Sequence, residues 1–128
     1  MKIYLAGPLT NWRDEVIKKL KEDYEIYNPI TDSRQKCQAQ YSHDDLEATK
    51  NCDIILAYQP KDKELCLALA IEATMGICNG AIVVYVDERP APDPIFIGIS
   101  KRFFSELDSA INFLKDFSKD SKIHGINK

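Results

Sequence analysis

The chain has 128 residues, a formal net charge of −3, 45% hydrophobic residues and 29% charged residues, the profile of one globular domain that buries about two-thirds of its unfolded surface. A polyanion-binding protein usually shows a basic surface, so no nucleic acid polymer is expected as a partner. The apolar runs are too short and interrupted for a membrane span and no signal peptide is read at the amino terminus, so no membrane partner and a cytoplasmic location are expected.

Lys2 to Gly7 reads as a first strand, apolar on both faces and stopped at Gly7-Pro8. Asn11, with Asp14 three residues on, reads as the N-cap of a helix through about Asp23 that turns Val16, Ile17 and Leu20 inward. Tyr24 to Tyr27 is a short second strand, ended at Asn28-Pro29 because the residue before proline is pushed out of the helical region. Thr31 to Tyr41 is polar and reads as loop or weakly formed helix, and Ser42 with Asp45 opens a capped helix to about Asn51. Asp53 to Tyr58 is a third strand. A helix from about Lys63 to Asn79 follows, with Gly80 as its left-handed stop. Ala81 to Val86 is a fourth strand, the proline-rich stretch from Glu88 to Pro94 is a loop, and Ile95 to Phe104 holds a fifth strand. Ser105 with Asp108 caps a last helix, amphipathic on Leu107, Ala110, Ile111 and Leu114. The domain is read as residues 1–117, with Ser118 to Lys128 as a frayed tail.

Strands alternating with helices, several of them apolar on both faces, imply an α/β fold: a doubly wound, mostly parallel sheet of about five strands covered on both sides. Ligands in such folds bind beyond the carboxyl ends of the strands. That edge gathers Gly7 to Arg13, Tyr58 to Lys63 and the first turns of the fourth-strand-preceding helix. Within that helix, Leu65 to Cys78 carries a single charge, Glu72. A carboxylate in so apolar a segment either occupies a solvent-facing stripe or faces a pocket, where partial desolvation suits a nucleophile or base.

Cys37, Cys52, Cys66 and Cys78 form no Cys-x-x-Cys pair, and the histidines are His43 and His124. This is not zinc-ligand spacing, so no metal is expected and the thiols read as buried and reduced. The glycines form no phosphate-loop or dinucleotide fingerprint, and no cofactor is expected. Arg13 with Thr10 and Asn11 either holds a phosphate at a helix N-terminus or belongs to a simple capped surface helix.

The opening Lys-Ile-Tyr-Leu-Ala-Gly-Pro-Leu resembles the amino terminus of the nucleoside 2-deoxyribosyltransferase family. So does the block from Asp45 to Gly80: an Asp, then Leu-x6-Asp-Ile-x-Leu, a short loop, a helix with a central Glu, then Gly and a strand. The resemblance implies a five-stranded Rossmann-like fold and cleavage of the N-glycosidic bond of (deoxy)nucleosides or their 5′-monophosphates. It matches Glu72 to the family's nucleophile, Tyr4 to a tyrosine that steadies it, and Asp45 to an acid at the base-binding site. Gly7 and Pro8 match the loop lining the sugar. It also implies a homodimer or higher homo-oligomer whose subunits complete one another's pockets, and Asp93 to Phe104 is the expected contact segment.

Several positions depart from the family pattern. Ala68-Leu69-Ala70-Ile71-Glu72 stands where the family usually reads Gly-x-Gly/Ala-x-Glu, so two methyl groups narrow the site or move the ligand outward. Cys66 occupies a position that is commonly Asp in the transferases and Ser in the monophosphate hydrolases. Trp12 is placed either to stack on a base or to staple the first helix, and Asp45 is alternatively a first-turn carboxylate on its helix dipole. Two functions follow: an N-glycosyl enzyme working through a covalent glycosyl-Glu72, or a non-catalytic nucleotide-binding module on the same scaffold.

Overall fold

Strands β1 (Lys2–Ala6), β2 (Glu25–Tyr27), β3 (Ile54–Gln59), β4 (Ile82–Asp87) and β5 (Arg102–Phe104) form one sheet in the order β2-β1-β3-β4-β5. Every pairing is parallel in this computed structural model, which describes residues 1–123. The helices are α1 (Trp12–Leu20), α2 (Pro29–Asp32), α3 (Gln38–Lys50), α4 (Leu67–Cys78), α5 (Pro94–Ile99) and α6 (Leu107–Ile123). Alternation along the strands explains the sandwich. Ile3, Leu5, Ile54, Leu56, Val84 and Val86 meet α1 and α6 on one face, whereas Tyr4, Ala6, Ile55, Ala57, Val83 and Tyr85 meet residues of α4 and α5 on the other. Each fully buried Leu, Ile or Val in these layers contributes roughly 1.5–3 kcal/mol.

Several element boundaries differ from the sequence reading. The helix carrying Asp45 begins at Gln38, with Cys37 rather than Ser42 at its N-cap. Good helix formers at Gln38, Ala39 and Gln40 extend it backward. Asn28 caps α2, its side chain accepting the Ile30 N–H at 3.2 Å. Asn11 makes no side-chain cap on α1. The chain from Lys63 to Cys66 is not helical, since Gln59 Nε2 ties down the Lys63 and Pro60 carbonyls before α4 starts. Ile95 to Ile99, read as strand, lies in helix α5: Asp93 caps it through the Phe96 N–H and Pro94 opens it. Phe96 then stacks on Tyr85 at 4.2 Å. The last helix runs through Ile123 with Ser118 buried, so the first part of the segment read as a tail is helical; the rest of that segment lies outside the described residues. Of the four cysteines, all free, Cys52 alone is buried, because Cys37, Cys66 and Cys78 sit at helix ends.

Helix α4 is apolar all round yet packs one side only. Leu69, Ala73 and Gly76 are buried, while Leu67 and Ile71 are 75% and 46% exposed. Gly76 brings the helix onto the sheet, since a Cβ there would lie 2.1 Å from Ile55 Cδ1. Gly80, with φ +95°, follows the helix end as expected. Among the described residues, no helix is long and apolar enough to cross a membrane.

Candidate active site

Successive connections leave β1 toward β2 on one side and β3 toward β4 on the other, so a crevice opens beyond the carboxyl ends of β1 and β3. Tyr4 in β1 is fully buried, and its hydroxyl donates a hydrogen bond to Glu72 Oε2 on α4. The close seat of α4 at Gly76, one turn beyond Glu72, is what brings the carboxylate over the strand. Register pairs Tyr4 with Tyr27 of β2, and their rings stack 5.7 Å apart at 17°. The Tyr27 hydroxyl is 2.7 Å from Ser33 Oγ, which donates to Asp45 Oδ1 at 2.5 Å. Asp45 lies in the middle of α3, so the first-turn, helix-dipole reading does not hold for it.

Two adjoining cavities meet at Tyr41 and Asp45. One, of about 210 Å³, is lined by Tyr41, Ser42, Asp45, Leu46, Ala68, Ile71 and Glu72. The other, of about 290 Å³, is lined by Leu9, Pro29, Ile30, Gln35, Tyr41 and Asp45. Glu72 and Asp45 thus share a small, largely apolar cleft, and Ala68 contributes its methyl group to the wall. Burial pushes the Glu72 carboxyl up to about 7; the nearby Asp45 charge adds to the rise, while the Tyr4 hydroxyl and Arg13 oppose it. Burial also raises Asp45, helped by the charge of Asp44 and opposed by the Ser33 hydroxyl and Arg13. The Tyr4 hydroxyl is held protonated by burial and by Glu72. Both carboxyls therefore hold their protons more readily than solvated ones, Glu72 up to about 7.

Arg13 departs from the phosphate-binding expectation. It is 2% exposed, and its guanidinium is turned inward onto backbone carbonyls. Nε donates to Leu5 O at 3.2 Å, Nη2 to Leu5 O and Gly7 O at 3.1 and 3.0 Å, and Nη1 to Pro8 O at 2.8 Å. The residue shapes the Gly7–Pro8 loop and belongs to no surface helix face. Trp12 is likewise turned inward: Nε1 donates to Pro8 O at 2.9 Å, and the ring packs on Tyr58 at 4.9 Å. It is buried and lies outside the walls of both cavities. Gly7 is required there, because a Cβ would meet Trp12 at 2.8 Å and Tyr58 O at 2.9 Å. Thr10 and Asn11 are exposed on the loop, outside both cavity walls. Cys66 is exposed at the N-cap position of α4.

Tyr27, Ser33, Gln35 and Tyr41 were not singled out from the sequence. Tyr27 ends a strand that the topology lays beside β1, so its stacking follows once the strand order is known. Ser33 and Gln35 fall in the ambiguous polar stretch, where composition carries no signal for them. Among the described residues no cluster of His, Cys, Asp and Glu is arranged to hold a metal ion.

Comparison with known proteins agrees with this fold. The family model described as "nucleoside 2-deoxyribosyltransferase like" matches residues 1–89. A search of curated proteins found no match. Among solved structures, the 2-deoxyribosyltransferase of Bacillus psychrosaccharolyticus superposes with a TM-score of 0.69 at 20% identity, covering 88% of this chain and 91% of that one. The Clostridium botulinum CMP N-glycosidase gives 0.66 at 17% identity, over 90% and 99% of the two chains. The Leishmania mexicana 2-deoxyribosyltransferase gives 0.70 at 16% identity, over 88% and 95%. At these identities the likeness is one of fold, and it extends over nearly the whole of each protein. With the family model spanning the strands and helices that build the cleft, the chain belongs to the nucleoside 2-deoxyribosyltransferase-like family.

Proposed function

We propose that this chain cleaves or exchanges the N-glycosidic bond of (2′-deoxy)nucleosides or their 5′-monophosphates through a covalent glycosyl-Glu72 intermediate. The observation that carries this reading is the shared cleft in which Glu72, bonded by Tyr4, faces the same 210 Å³ space as Asp45. In the first step a Glu72 carboxylate oxygen bonds to the anomeric carbon as the carbon–nitrogen bond breaks, and Asp45 delivers its proton to the leaving base. In the second, water or an acceptor base attacks the same carbon from the vacated face. The ester bond breaks, Glu72 leaves as carboxylate, and the proton lost by the attacking group returns to Asp45. Tyr4 holds the nucleophile by its hydrogen bond, and the loop of Gly7 and Pro8 lines the sugar. No cofactor is needed for this chemistry.

The test is chromatographic. Purified protein is incubated with 2′-deoxynucleosides, ribonucleosides and their 5′-monophosphates, with and without a free base, beside Glu72→Ala. Free base or exchanged nucleoside that disappears in Glu72→Ala supports the reaction, and intact-mass detection of a glycosyl adduct supports the covalent step. Ala68, whose methyl group lines the cleft, favours a second reading: a nucleotide-binding module without turnover. Saturable ligand binding with no product across the panel would select it.

The same proposal includes a homo-oligomer. Leu67, Ile71, Ile95 and Ile99 leave apolar side chains in water on the faces of α4 and α5. Ile71→Asp with Ile95→Asp is expected to convert a dimer or larger species to monomer on gel filtration; a wild-type monomer at micromolar concentration refutes it.

A further inference from the structure

The outer links of the hydroxyl chain, Tyr27 and Ser33, have no role in the reaction as written, yet both are tightly placed. Ser33 is 4% exposed, and its hydroxyl lies between two partners: the Tyr27 hydroxyl at 2.7 Å and Asp45 Oδ1 at 2.5 Å. A serine has one proton to donate. When Asp45 is ionised that proton must go to the carboxylate, so Tyr27 donates to Ser33. Tyr27 is held in turn by its stack on Tyr4, the residue that binds Glu72. The chain therefore runs from Asp45 through Ser33 and Tyr27 to the ring beneath the nucleophile's partner.

We propose that Ser33, oriented by Tyr27, is a positioning residue for Asp45, clamping Oδ1 and leaving Oδ2 as the oxygen that meets the leaving base. The inference rests on the reaction proposed above for the role of Asp45, while the clamp itself is a property of the protein alone. Among the described residues Asp45 Oδ2 carries no hydrogen bond, which agrees with that division of the two oxygens. Arg13 from α1 and Asp44 on its own helix also act on Asp45, and its charge is felt by Glu72 from α4, Tyr4 from β1 and Tyr27 from β2. Among the described residues, Ser33 is the one hydrogen-bonded directly to Asp45. An ionised Asp45 loses its donor when Ser33 loses its hydroxyl, so the carboxyl takes up its proton at higher pH. A general acid that must be protonated then stays active to higher pH while being worse aimed.

This pairing of effects separates positioning from mere structural support. Ser33→Ala is expected to lower kcat about tenfold with KM changed less than threefold, and to move the alkaline limb of the kcat–pH profile upward. Tyr27→Phe, which removes only the donor to Ser33, is expected to move it in the same direction by less, and Ser33→Thr to restore the wild-type limb. A readout independent of turnover is the titration of the Asp45 side-chain carbon by NMR in carboxyl-labelled protein, assigned with Asp45→Asn. An upward-moved titration in both Ser33→Ala and Tyr27→Phe supports the clamp even if wild type shows no turnover, an outcome that overturns the reaction alone. An unmoved Asp45 titration in a folded Ser33→Ala or Tyr27→Phe overturns the clamp, whatever the activity.

Discussion

Replacing Glu72 by Gln is expected to make the protein more stable above neutral pH while abolishing turnover. Burial pushes the Glu72 carboxyl up to about 7 from an ordinary 4.5. At about 1.4 kcal/mol per pH unit, its ionised form is destabilised by about 3 kcal/mol in the fold. The folded state holds this proton more tightly than the unfolded state. The carboxyl therefore costs nothing below about pH 4.5, and stability falls as pH rises from there through 7. Gln keeps an oxygen for the Tyr4 hydroxyl and carries no charge. Urea unfolding at a series of pH values from 4 to 8.5 checks this. The midpoints of Glu72→Gln and wild type should nearly coincide at pH 4 and separate progressively, reaching about 2–3 kcal/mol at pH 8.5. A difference that stays constant with pH, or a variant less stable at pH 8.5, would refute the reasoning that Glu72 is a buried carboxylate held at a cost.

Tyr4→Phe removes the hydrogen bond that favours ionised Glu72, so the nucleophile is less ionised at neutral pH. A loss of about 10–100-fold in kcat/KM at pH 7, partly recovered at pH 8.5, is expected; an equal loss at both pH values counts against it. Gly76→Ala forces a methyl group against Ile55, which is fully buried and has little room to yield. A destabilisation of about 1–3 kcal/mol by urea unfolding is expected, and an unmoved midpoint would contradict the close seat of α4. Arg13→Ala strips four hydrogen bonds from the Leu5, Gly7 and Pro8 carbonyls. It should cost about 2–4 kcal/mol and raise KM through the loosened loop. Because those donors are engaged, a deoxynucleoside should be processed at least as well as its 5′-monophosphate. A tenfold monophosphate preference in a competition assay would show a phosphate partner other than Arg13.

The parallel α/β sandwich was legible in the chain, because strands such as Ile54 to Ala57 and Ile82 to Val86 are apolar at every position. Only a sheet covered on both faces satisfies that pattern. The lone charge in the apolar segment from Leu65 to Cys78 likewise marked Glu72, since an isolated carboxylate there demands an explanation. Local signals failed where a short apolar or polar run admits two periods. Ile95 to Ile99 became a helix once Asp93 capped it and Phe96 found Tyr85, and the helix bearing Asp45 reached back past Ser42 to Gln38. For Arg13 and Trp12 the sequence left a ligand contact and a structural place on the first helix both open, since either fits a position just after β1. Which way those side chains turn is a matter of packing: the bare carbonyls of Leu5, Gly7 and Pro8 drew them inward. The chain from Tyr27 through Ser33 to Asp45 was beyond the sequence, since hydroxyls far apart along a polar stretch carry no periodic signal. Residue order determined the layers and the charge in the apolar helix; strand order, the close seat at Gly76 and side-chain direction decided what that charge faces.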